Sequence, residues 1–98
     1  KIMTSTQPAT PTLHILNKPP GHPRFETCLQ AIQDGDQLVL TENAALALAD
    51  CSVTLPDACK AMKADVDARA LNEQTRTGTI DYAELVRLTA KHSRIISW

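Results

Sequence analysis

The stretch Thr12-Leu13-His14-Ile15-Leu16-Asn17-Lys18-Pro19-Pro20-Gly21-His22-Pro23 decides the architecture. Its first half is a short apolar run of the kind that forms a buried strand. Three prolines and a glycine then forbid regular structure between Lys18 and Pro23. From Pro23 the pattern changes period. Phe25, Cys28, Leu29 and Ile32 recur at i, i+3, i+4 and i+7, with proline at the first helical turn, so a helix follows directly. Gly35 stands where a left-handed residue would close it. A strand, a tight loop and a helix are the opening of an α/β unit.

The rest of the chain repeats the alternation. Residues 36–42 read as a second buried strand, and Asn43 after them suits a turn. Residues 44–50 are alanine-rich and predict a short helix, while Pro56 interrupts the segment beyond. Residues 58–62 supply a third strand despite weak strand propensity. Residues 64–73 suit a helix with Val66 and Ala70 on one face, followed by a loop at 74–78 and a brief strand at 79–80. Asp81 and Glu84 form an aspartate version of the capping box, and Tyr82, Leu85, Val86 and Thr89 carry a helix to about Lys91 or His92. Residues 94–98 are apolar enough to pair as an edge strand or to dock on a partner. Strand–helix alternation of this kind predicts parallel pairing with right-handed crossovers.

Composition narrows the function classes. Ninety-eight residues make one small domain, expected over 12–98 behind a flexible tail at 1–11. Such a domain buries only about 60–65% of its unfolded surface, which favours a site shared with a partner over a deep private one. Ten basic and eleven acidic residues give a net charge of −1, without the basic footprint of a nucleic-acid binder. One each of Phe, Trp and Tyr leave no stacking platform for bases. No apolar run approaches the roughly 20 residues that span a bilayer. The N-terminal stretch lacks the apolar core of a signal peptide, so the expected setting is the cytoplasm.

Three cysteines, Cys28, Cys51 and Cys59, are an odd set for a disulfide framework, and their spacing matches no common zinc pattern. Phosphate-loop, dinucleotide, metalloprotease and nucleophile-elbow motifs are missing, and His14, His22 and His92 are scattered. Neither a metal nor an organic cofactor is expected, and an independent enzyme is not. Thiol chemistry remains, because a thiolate is the strongest nucleophile available. Two readings stand for Cys28: an inert core residue on the apolar stripe, or a sulfur carrier near a helix N-terminus assisted by His22 or Arg24. Cys59 reads as core, and Cys51 has no evident role. His14 inside an apolar run reads as a hydrogen-bonded core residue. Lys18 and His22 follow the first strand, where open α/β sheets place ligands, although a solvated loop explains them equally. Asp65 and Arg69 are placed for an i,i+4 ion pair.

Three segments together resemble the TusB/DsrH family of sulfur-relay subunits. Leu13-His14-Ile15-Leu16-Asn17-Lys18-Pro19-Pro20 is similar to that family's "LHxxNKSP" opening. Met62-Lys63-Ala64-Asp65-Val66-Asp67-Ala68-Arg69-Ala70-Leu71 is similar to its "ALxEDVxARGL" segment, with Ala70 in place of the glycine. Ile80-Asp81-Tyr82-Ala83-Glu84-Leu85-Val86-Arg87-Leu88-Thr89-Ala90-Lys91-His92, with Trp98 beyond, is similar to "IDYxxFVxLTxKH…W". Glu42-Asn43 replaces the usual "DG". The resemblance implies a DsrE-like three-layer α/β fold, a mainly parallel sheet with helices on both faces. It implies a heterohexamer with TusC/DsrF-like and TusD/DsrE-like subunits, the principal persulfide cysteine lying on the latter. A TusA-like donor and a TusE/DsrC-like acceptor would serve the complex, in 2-thiolation of the tRNA wobble uridine or in sulfur oxidation. Cys28 falls where DsrH-type members carry a cysteine, which marks it as the candidate persulfide carrier. The alternatives are a structural interaction subunit without sulfur chemistry of its own, and a stand-alone homodimer; a homo-oligomer of the isolated chain is also allowed. Direct contact with nucleic acid or membrane is not implied.

Overall fold

The computed structural model describes residues 11–72 and 76–98. The tail expected at 1–11 lies outside them except for Pro11, as do Gln74 and Thr75 of the expected loop. The elements run β1 (Thr12–Leu16), α1 (Pro23–Ala31), β2 (Gln37–Leu40), a 3-10 helix (Glu42–Ala49), β3 (Cys59–Met62), α2 (Lys63–Ala68), β4 (Gly78–Ile80), α3 (Tyr82–Lys91) and β5 (Arg94–Ser97). The five strands form one sheet in the order β4-β3-β2-β1-β5, and every neighbouring pair is parallel. The chain steps outward from β1 to β4, then α3 returns it across the sheet so that β5 lies on the far side of β1.

Strand alternation sorts the apolar residues into two layers. Leu16, Leu38, Leu40, Cys59 and Ala61 point to one face and meet Phe25 and Cys28 of α1, the 3-10 helix and Val66 of α2. Leu13, Val39, Met62 and Ile80 point to the other and meet Leu85 and Leu88 of α3. The leucines at 13, 16, 38 and 40 are fully buried, each stabilising the fold by about 1.5–3 kcal/mol. The first layer is thick and the second thin: among the described residues α3 is the only helix on its face, and it buries no residue completely. Tyr82, Val86 and Ile95 stay exposed there, and Ile95 shares its face with Leu13 through the strand register.

Local chemistry explains each boundary. Pro19-Pro20-Gly21-His22 closes a turn with the His22 N–H on the Pro19 carbonyl at 3.1 Å, and Gly21 supplies the left-handed residue at φ 94°. His22 then caps α1, its Nδ1 accepting the Arg24 N–H at 3.0 Å. Helix α1 stops at Ala31, four residues before Gly35. Gly35 (φ 90°) serves the following turn, in which the Asp36 N–H donates to the Gln33 carbonyl at 2.9 Å. The short helix expected at 44–50 is a 3-10 helix from Glu42 to Ala49. Its small residues Ala44, Ala45 and Ala47 press against the sheet. Arg76 donates to the Ala47 and Asp50 carbonyls at 2.9 and 2.7 Å, and to that of Val53, tying the end of the 3-10 helix to the segment that leaves it. Helix α2 covers five residues of the expected 64–73, whose last residue Glu73 lies outside the described ones, and ends in a Schellman motif: Leu71 N–H to Val66 carbonyl at 2.9 Å and Ala70 N–H to Asp67 carbonyl at 3.2 Å. The expected capping box on α3 is present, with Asp81 and Glu84 each accepting the other's N–H.

Candidate functional site

Parallel strands all end on one side, and the chain reverses its direction of travel between β1 and β5. Open α/β sheets bind ligands at such a reversal. Lys18 is at this place. Its Nζ donates to the Asn17 side chain and, at 2.9 Å, to the main-chain oxygen of Trp98, so the ammonium ties the loop after β1 to the end of β5. His22 lies in the same loop with its Nδ1 occupied as the α1 cap. Lys18 and His22 are thus held by their own chain.

Cys28 is elsewhere. It is the sixth residue of α1, beyond the first turn within which a helix dipole acts. Its side chain is sealed in the thick core layer with 0% exposure. Burial pushes the thiol up to about 12, and no neighbouring charge offsets the shift. Cys59 shares this cluster; burial raises its thiol to about 12 as well, against a partial lowering by Arg76. Cys51 is exposed in the segment leaving the 3-10 helix. The Asp65–Arg69 pair forms at 3.4 Å, and Arg69 also donates to Asn43 at 3.0 Å, joining α2 to the 3-10 helix.

One constellation escaped the sequence reading. The Trp98 indole Nε1–H donates to His14 Nδ1 at 3.1 Å, the two rings stacking with centroids 6.1 Å apart. On its other side His14 Nε2 meets Asp36 Oδ2 at 3.0 Å. Asp36 further accepts the Thr12 N–H at 2.9 Å on Oδ1 and the Gln33 N–H at 3.1 Å on Oδ2. The His14 and Asp36 side chains are 2% and 9% exposed. Burial alone would raise the Asp36 carboxyl. The Thr12 N–H, the His14 ring and the Gln33 N–H outweigh it and hold the group below its ordinary value. The arrangement satisfies every member and ties β1, β5 and the turn before β2 together. It contains no nucleophile. Among the described residues no cluster of three or more His, Cys, Asp or Glu forms a metal site, and no helix is long and apolar enough to cross a membrane.

Residues 18–95 match the family described as DsrH like protein. A protein named TusB from Enterobacter sp. (strain 638) is 34% identical over 94 residues, covering 88% of this chain and 99% of the relative. The chain belongs to the DsrH/TusB family. The TusB proteins of Pectobacterium parmentieri, at 34%, and of Escherichia coli O139:H28, at 33%, align over the same shares. With the family established, the all-parallel five-stranded sheet is its DsrE-like fold. The glycine of the family's "ARGL" segment acquires a structural meaning too. Its counterpart Ala70 occupies the left-handed position of the Schellman motif, at φ 53°.

Proposed function

We propose that this DsrH/TusB-family chain is a sulfur-relay subunit that supplies binding surface, while a sister subunit carries the sulfur. The observation that carries this reading is the state of Cys28. Relay requires a thiolate to attack another protein's persulfide, or a persulfide that a partner thiolate can reach. Burial pushes the Cys28 thiol up to about 12, which disfavours the thiolate at neutral pH, and none of its surface is open. The thin α3 layer supports the same reading, since Tyr82, Val86 and Ile95 offer apolar surface of the kind partners cover.

The assembly proposed is a heterohexamer with TusC/DsrF-like and TusD/DsrE-like subunits in the cytoplasm, taking sulfur from a TusA-like donor and giving it to a TusE/DsrC-like acceptor. Of the two pathways, 2-thiolation of the tRNA wobble uridine is favoured, because the relatives that align over nearly their whole length are TusB proteins. The competing form makes Cys28 a persulfide carrier, and it requires assembly to uncover the thiol. Reconstitution with the two sister subunits tests both. Labelled sulfur passing from donor to acceptor through a Cys28→Ala complex at the wild-type rate is the expected result. A loss of tenfold or more in an intact complex (about 1.4 kcal/mol in barrier) would return the chemistry to Cys28. Failure to co-assemble would overturn the relay assignment itself.

A further inference from the structure

A second surface lies away from the strand ends discussed above. Lys60 of β3 points to the thin layer. Its stem lies across Gly78, where an added Cβ would come within 2.8 Å of Nζ. Arg87 and Lys91 stand one turn apart on α3 and flank the same cleft, whose floor is Ile80 and Leu88 and whose volume is about 310 Å³. Gln37 and Glu84 complete its lining. Among the described residues the ion pairs made by lysine and arginine are Lys63–Asp67 and Arg69–Asp65, so none of the three cations of the cleft is neutralised by one. The only carboxylate in the lining, Glu84, accepts the Asp81 N–H in the capping box. In a chain of net charge −1 this concentrates positive charge around an apolar floor.

We propose that this cleft docks an acidic segment of a partner polypeptide, an apolar side chain on Ile80 and Leu88 and flanking carboxylates against Lys60, Arg87 and Lys91. Charge complementarity selects the acidic partner. The apolar floor selects a peptide over a small inorganic anion, which would leave that floor wet. A nucleic-acid strand fits less well, because the lining offers no aromatic ring for a base to stack upon. The inference goes beyond the relay assignment and holds whether or not Cys28 carries sulfur.

The test titrates the isotope-labelled full chain with the blocked peptide Glu-Glu-Leu-Leu-Glu-Glu and follows backbone amide shifts by NMR. Saturable shifts centred on Lys60, Ile80, Leu88 and Lys91 are expected, weakening as salt rises from about 20 to 200 mM. The exposed double substitution Arg87→Gln and Lys91→Gln should lower affinity on the order of fivefold with the spectrum of the fold intact. Gly78→Ala should do the same by displacing the Lys60 head, a movement its flexible stem allows. Shifts centred elsewhere, undiminished binding by both variants, or equal shifts at lower concentration from inorganic phosphate, a uridine oligonucleotide or a Lys-Lys-Leu-Leu-Lys-Lys peptide would overturn the proposal.

Discussion

An indole N–H can only donate, so the bond from Trp98 fixes the proton on His14. Nδ1 must be bare to accept it, which leaves the proton on Nε2 facing Asp36. Asp36→Asn probes the other end. An amide offers one acceptor oxygen where the carboxylate uses two, so at least one buried N–H loses its partner at a cost of about 1–3 kcal/mol at pH 7. Folding holds the Asp36 carboxyl below its unfolded value. Its contribution is therefore complete above the ordinary carboxylate range and drains away as pH falls through the folded value. Urea unfolding of wild type and variant should differ clearly at neutral pH and converge in acid; a difference that persists or grows in acid contradicts the account.

The helix ends show where local sequence decides and where packing does. Strands β1 and β2, the start of α1 at Pro23 and the capping box of α3 were legible because a single short-range signal controls each. The stop of α2 was not. Residues 64–73 have helical composition throughout, yet Ala70 turns left-handed so that Leu71 can bury beside Val66. A left-handed non-glycine residue costs roughly 1–2 kcal/mol, part of which glycine would return as unfolded-state entropy. Ala70→Gly should thus stabilise the chain by about 0.5–1 kcal/mol, read as a higher urea midpoint at unchanged slope. A lower midpoint would show that the motif is not strained. Gly35 misled for a related reason: a positive-φ glycine marks a reversal without saying which element owns it. The His14–Asp36–Trp98 set was out of reach of sequence patterns because its members lie 22 and 84 residues apart. The one trace it left was a histidine inside an apolar strand.

At the scale of the molecule, the distribution of cover is the informative feature. One sheet face carries α1, the 3-10 helix and α2, and it shuts both Cys28 and Cys59 away. The other carries α3 alone and keeps Tyr82, Val86 and Ile95 in water, beside a cleft with three cations. Chemistry is sealed where packing is best, and contact surface is offered where it is thin. On the function proposed above, a DsrH/TusB-family subunit arranged in this way would contribute position to a relay whose sulfur travels on other chains. Mass spectrometry of the reconstituted complex after loading with a persulfide donor tests that claim most directly. The added sulfur, about 32 Da, is expected on a sister subunit and none on this chain. The same mass increment on Cys28 within the assembled complex would contradict it.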